Sequence, residues 1–213
     1  TGGTGGHVFP AYSLAKFFIQ DNKLVEIITD KRGLKFLEQQ KELKLILNNS
    51  TTIYKKNIIK SFLSSILIFY SFLKSLIILY EKKPSIVFGM GGYSSFPVCL
   101  AAKVLKIPFI IYENNLLLGK SNKYLLPYAF KIFVAYSELD GIKKKFQNKI
   151  VNTGNILRNE ILNFVPNKKD YSKNILNILI LGGSQAAKSF GEILPAIFEK
   201  CVNANIKLKI FQQ

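Results

Sequence analysis

Ile86-Val87-Phe88-Gly89-Met90-Gly91-Gly92-Tyr93-Ser94-Ser95 decides the fold. A short apolar run ends in a glycine loop, and the residues that follow, 96–105, carry apolar side chains at helical spacing. A strand that turns through glycines straight into a helix leaves backbone N–H groups and the positive end of the helix dipole facing outward, where an anion can sit. Working outward, the same grammar recurs. Thr1-Gly2-Gly3-Thr4-Gly5-Gly6-His7-Val8-Phe9-Pro10 is a glycine loop that leads into a helix. Gly182-Gly183-Ser184-Gln185-Ala186-Ala187-Lys188-Ser189 follows the apolar stretch 178–181. Neither is a standard nucleotide fingerprint: G-x-G-x-x-G read from Gly3 ends on Val8, and Ala187 stands where a Walker loop requires glycine.

Between the loops, apolar runs predict strands at 24–29, 44–47, 85–89, 108–112, 131–135, 150–153, 175–181 and 206–211, alternating with helical stretches at 10–20, 96–105, 121–129 and 189–203. This alternation is that of an α/β protein with a parallel sheet, and two glycine loops at strand ends in one sheet point to one crevice. Gly154-Asn155-Ile156-Leu157-Arg158 and the polar residues after it mark a boundary. The first domain is expected over 1–158, with 159–213 the opening of a second. The first glycine loop has no strand before it and the last strand ends near residue 213, so the chain is expected to be a fragment truncated at both ends.

At 213 residues and 48% hydrophobic, with 20% charged residues, the chain can bury a sizeable core and is not a disordered protein. Its 30 Lys and Arg against 13 Asp and Glu give a net charge of +17. That excess suits phosphates or an anionic membrane. Only Arg32 and Arg158 are arginines, so the clustered guanidinium forks of nucleic-acid readers are missing and no nucleic-acid role is expected. Cys99 and Cys201 lie far apart and form no C-x-x-C pair, which fits reduced thiols rather than a zinc site or disulfide framework. No signal peptide is expected.

The stretch 58–80 is uncharged from Ser61 to Leu73 and is broken by Lys74 alone before Tyr80. Serines 61, 64, 65, 71 and 75 form a narrow polar stripe opposite Ile59, Phe62, Leu63, Ile66, Tyr70, Leu73, Ile77 and Tyr80, while Ile68 and Phe72 fall on the serine side. On an ordinary surface helix those two would be wet. Three readings stay open: a helix of a soluble domain, an interfacial helix, or a spanning one. For the interfacial reading, Lys55, Lys56, Lys60, Lys74, Lys82 and Lys83 supply attraction to anionic lipid.

His7 is the single histidine, so any imidazole base must be this one; it stands on a glycine loop at the first turn of a helix. Glu113 ends the apolar run 108–112, where α/β enzymes place polar site residues, and Asn114 and Asn115 follow. A carboxylate there can orient a base, hold a sugar hydroxyl or cap a helix. In a chain so biased to lysine, Arg158 suggests a planar fork for a diphosphate.

Taken in order, these motifs resemble the MurG-type family, bacterial transferases that add N-acetylglucosamine to lipid I in peptidoglycan synthesis. Gly2 to Pro10 is similar to the family's first glycine loop and Gly89 to Tyr93 to its second. Glu113 to Asn115 resembles its His-Glu-Gln-Asn segment, Gly154 to Arg158 its Gly-Asn-Pro-Val-Arg, and Gly182 to Ala187 its Gly-Gly-Ser-Gln-Gly-Ala. The resemblance implies a GT-B fold, with a Rossmann-like N-terminal domain on the acceptor and membrane side and the start of a Rossmann-like donor domain. It implies UDP-N-acetylglucosamine contacts at Thr4, Gly5, Gly6, Asn115, Arg158 and Ser184, and acceptor-diphosphate loops at Gly91, Gly92 and Tyr93. His7 and Glu113 become the candidate catalytic pair. It also implies peripheral association with the cytoplasmic face of the inner membrane, and lipid I as acceptor. Tyr112, Asn114, Leu116, Ile156 and Ala186 stand where the family usually has His, Gln, Gly, Pro and Gly. No Asp-x-Asp pair occurs, so neither a cofactor nor an obligatory metal is expected. A related sugar-nucleotide enzyme, a glycolipid synthase or epimerase, and a non-catalytic membrane-surface module are the alternative readings.

Overall fold

Every strand pairing in the computed structural model, which describes residues 1–51, 58–165, 175–182 and 187–212, is parallel. Lys55, Lys56, Ser184 and the polar stretch 166–170 lie outside the described residues. The chain divides into two units, Thr1–Phe164 and Val165–Gln213. The first unit opens with helix α1 (Gly5–Gln20), followed by β1 (Glu26–Thr29), α2 (Lys31–Leu37) and β2 (Lys44–Leu47), with β1 and β2 paired. The long helix α3 (Ile58–Lys82) leads to β3 (Val87–Gly89), α4 (Gly92–Val104), β4 (Phe109–Glu113), α5 (Lys120–Leu125), β5 (Lys131–Val134) and β6 (Ile150–Asn152). Strands β3 to β6 form one sheet in sequence order. A short helix, α6 (Asn159–Leu162), closes this unit just past the expected boundary at 158.

All five residues of β4 are buried, as expected of a strand covered on both faces. Phe109 and Ile111 pack with Val98, Ala102 and Leu125 of the α4 and α5 layer; Tyr112 points the other way and packs with Ala11 of α1 and with Met90. The loops at the carboxyl ends of β3, β4 and β6 are therefore held in register by a sheet clamped between helices. Cys99 lies in this core with its thiol pushed up to about 12 by burial, which makes it chemically inert at neutral pH. In the second unit β7 (Leu176–Ile180) pairs with β8 (Leu208–Gln212), and α7 (Ala187–Asn203) lies between them in sequence.

Helix α3 reverses the usual amphipathic order. Its serine side faces the protein: Ser64, Ser71, Ser75 and Leu79 are buried, and Phe72 and Leu76 pack against the main core. Ile68 and Phe72, on that serine side, are partly covered by the protein, so their placement there does not call for a membrane. Small serines let α3 approach closely, and their hydroxyls are satisfied internally. Asn48, just past β2, donates through Nδ2 to the Ser71 carbonyl at 3.0 Å and to Ser75 Oγ at 2.8 Å, and accepts from Ser71 Oγ at 3.1 Å. The large apolar residues point out instead, with Phe62 67% and Tyr70 63% exposed. By length and composition alone α3 could cross a membrane. Because Asn48 serves three buried groups, Asn48→Ala is expected to cost about 2 kcal/mol. The loss should appear as a lower denaturant midpoint with an unchanged slope.

Candidate active site

Helix α1 starts at Gly5, five residues before the predicted Pro10, and the structure shows why proline is tolerated inside it. Pro10 has no N–H for the carbonyl of Gly6 one turn earlier. Asn114 Nδ2, from the segment after β4, donates to that carbonyl at 3.0 Å and takes the place of the helical bond. The N-cap Thr4 uses its backbone carbonyl, not its side chain, to accept from His7 and Val8. Thr4 and Gly6 are exposed, and the first-turn N–H groups of Gly5 and Gly6 have no partner among the described residues. They form the helix-start donor set the sequence predicts.

The second loop is shaped around His7. Gly91 and Gly92 have φ of +81° and +72°, a region in which a side chain is strained. A Cβ at Gly91 would sit 3.1 Å from His7 Cε1, and one at Gly92 3.3 Å from Cδ2. The imidazole thus lies flat against a backbone stripped of side chains. Nδ1 is buried and lacks a partner of hydrogen-bonding geometry among the described residues. Burial pushes the pKa of His7 below 6.5, only partly offset by the Met90 backbone and the charge of Glu113. At neutral pH the ring is uncharged and able to take a proton.

Asp30 ties the two loops together, and sequence reading missed it. It is 4% exposed. Oδ1 accepts from Gly3 N at 3.0 Å and from Gly33 N at 2.8 Å, capping α2; Oδ2 accepts from Tyr93 Oη at 2.7 Å and Ser94 Oγ at 3.0 Å. Burial alone would push its carboxyl up, but the donors Gly3, Gly33 and Ser94 and the nearby Arg32 charge hold it below the usual carboxylate value. The only local signal is an Asp between a strand and Lys-Arg-Gly, which reads as a helix cap.

Glu113 is 2% exposed and fully engaged by the loop that follows it and by α5. Oε1 accepts from Asn115 Nδ2 at 2.7 Å and Asn115 N at 3.2 Å, and Oε2 accepts from Gly119 N at 2.8 Å and Asn122 Nδ2 at 3.0 Å. Its oxygens are taken and neither is hydrogen-bonded to His7, so Glu113 bears on the imidazole through its charge. Asn115 is exposed beside it. Tyr112, in the position where the family usually has His, sends its hydroxyl to the Gly154 carbonyl at 3.3 Å and accepts from Ile156 N at 3.2 Å, tethering the segment that carries Arg158. Arg158 is exposed, and its guanidinium stacks 4.6 Å from the Phe9 ring centroid. Thr4, Gly5, Gly6, His7, Gly91, Gly92, Tyr93, Glu113, Asn115 and Arg158 all belong to the first unit; Ser184 lies outside the described residues.

A parallel sheet with a strand that ends in a glycine loop against one imidazole belongs to an α/β unit of the GT-B class of glycosyltransferases. Residues 1–134 match the glycosyltransferase family 28 N-terminal domain, and the chain belongs to that family. Over its whole length it is 40% identical to a Pelagibacter ubique protein, 58% of which it covers, and 36% identical to one from Rickettsia felis, 60% of which it covers. Both are named UDP-N-acetylglucosamine–N-acetylmuramyl-(pentapeptide) pyrophosphoryl-undecaprenol N-acetylglucosamine transferase. Among solved structures, Acinetobacter baumannii MurG matches 99% of this chain, over 56% of its own, with a TM-score of 0.69 and 29% identity. A Neisseria meningitidis UDP-GlcNAc 2-epimerase matches all of this chain and 64% of its own, with a TM-score of 0.55 at 13% identity, a likeness of fold alone. The chain thus spans about three-fifths of the curated relatives it matches.

Proposed function

We propose that this chain is the acceptor-side part of an inverting N-acetylglucosaminyltransferase. The full protein moves N-acetylglucosamine from UDP-N-acetylglucosamine to the 4-hydroxyl of the muramoyl sugar of undecaprenyl-diphosphate-linked lipid I. One observation carries the reading: an uncharged imidazole lies on the Gly91–Gly92 backbone, beside loop N–H groups unpartnered among the described residues, in a chain 40% identical to a protein of that name. The acceptor oxygen attacks the anomeric carbon, its proton passes to His7 Nε2, and the bond to UDP breaks with its electron pair leaving on UDP. The leaving diphosphate needs charge stabilisation more than a proton. First-turn N–H groups at Gly5 and Gly6, the Thr4 and Asn115 side chains and the Arg158 guanidinium supply it, and no obligatory metal or other cofactor is required.

The exposed apolar face of α3 supports seating on the cytoplasmic face of the inner membrane. Lys74 and Lys83 stand on or just past that helix, whereas Lys82 is paired with Glu26 at 2.8 Å. Phe62→Asp with Ile66→Asp is expected to weaken binding of the full-length protein to anionic vesicles at least tenfold in a flotation assay. The thermal midpoint should stay within a few degrees, since both residues already face outward. The function itself is tested by UDP release from the full-length protein. Release from UDP-N-acetylglucosamine that requires a lipid I analogue supports the transferase; release without acceptor, or none with a verified acceptor, rejects it.

A further inference from the structure

Next to the seam between the glycine loops lies an open polar cleft of about 390 Å³. Lys31, Arg32, Asn49, Ser50, Thr51 and Tyr93 line it, with Asp30 as its only acid among the described residues. Lys31 and Arg32 outweigh that one carboxylate, so the cleft carries a net positive charge. Its cation is held in place: Arg32 Nε lies 3.9 Å from Asp30 Oδ2, and the guanidinium stacks 5.0 Å from the Tyr93 ring centroid. Arg32 Nη2 lies 3.8 Å from the point where a side chain at Gly3 would begin, so the fork sits beside the bare backbone of the first loop. The two walls are joined by Lys31 N donating to Asn49 Oδ1 at 3.2 Å. The Ser50 hydroxyl is buried with no hydrogen-bond partner among the described residues. Of the chain's two arginines, this one is fixed against the second loop as Arg158 is against the first.

We infer that Arg32 is the fork that clamps a diphosphate ester in this cleft, with Lys31 adding charge. Under the transferase reading, on which this assignment of source rests, the diphosphate is that of the lipid-linked acceptor, while Arg158 serves the nucleotide donor. A planar, pre-oriented guanidinium can grip two phosphate oxygens at once, which a lysine in the same place cannot do.

The test uses the full-length protein and two probes, geranyl diphosphate and UDP, titrated by calorimetry. Arg32→Ala is expected to raise the Kd for geranyl diphosphate about tenfold or more and leave that for UDP within twofold; Arg32→Lys should recover only part of the loss. Unchanged geranyl diphosphate binding in Arg32→Ala overturns the inference, and equal weakening of both probes assigns the site to the donor and overturns the acceptor source. These titrations do not need turnover, so they stand apart from the transferase reading. Where turnover is measured, the KM for a lipid I analogue should rise with kcat within threefold. A fall in kcat at unchanged KM rejects the clamp.

Discussion

Replacing His7 with alanine in the full-length protein is expected to lower kcat by about 10²- to 10⁴-fold, the range a positioned general base contributes. The expectation rests on three features of the ring. It is the only imidazole in the chain; Gly91 and Gly92 are shaped to receive it; and burial keeps it uncharged at neutral pH. Donor binding should change little, because the first-turn N–H groups of Gly5 and Gly6 belong to the backbone and survive the substitution. Retention of more than half of wild-type kcat would remove His7 from the base role.

The pH dependence provides the sharper check. Since the folded-state pKa of His7 is lowered from 6.5, the imidazole stays neutral as pH falls to that value and protonates only further down. The acid limb of kcat/KM should therefore lie below pH 6.5 and vanish in His7→Ala. The linkage runs the same way for stability. Below 6.5 the unfolded chain binds the proton more readily than the folded one, so this residue costs stability as pH falls through that window and nothing above it.

The sequence made the strands legible because each is a short apolar run ended by glycine or a polar residue: β2 was placed at its observed bounds and β4 within one residue. Helix α2 escaped because Lys31–Leu37 has Gly33 in its middle and buries only Gly33 and Leu37. Periodicity displayed two faces of α3 but could not tell which turned inward. The ordinary rule puts serines in water, and here Asn48 and the helix's own carbonyls satisfy them instead. The site was legible wherever chemistry follows local sequence, as in the glycine loops and His7. It was illegible where partners are distant: Tyr93 and Ser94 stand 63 and 64 residues from Asp30, and no window pattern connects them. Glu113 was visible as a strand-end carboxylate, yet its donors, from the loop after β4 and from Asn122 of α5, are brought to it by a course only the fold sets.

Asp30→Ala is expected to destabilise the protein by about 3 kcal/mol and to lower kcat as well, because one side chain holds both glycine loops. Removing it strands the buried N–H groups of Gly3 and Gly33, which cannot turn to find other acceptors, and frees the hydroxyls of Tyr93 and Ser94. Asp30→Asn separates the two effects. An asparagine can keep its oxygen on the two backbone donors and point its amide at the hydroxyls, which can rotate to accept. Its stability loss should be nearer 1 kcal/mol in denaturant unfolding. The charge is gone, however, and with it the ion that anchors Arg32. The asparagine variant should therefore fold well yet show a raised KM for the acceptor, a split that a purely structural aspartate would not produce. Acid acts on the wild type in the same direction. With its pKa held below 3.8, Asp30 contributes its stabilisation fully above that value and loses it as pH falls through the lowered one. The acid limb of unfolding should be shallower in Asp30→Asn, and an identical limb in both proteins would show that the carboxylate charge contributes nothing to the seam.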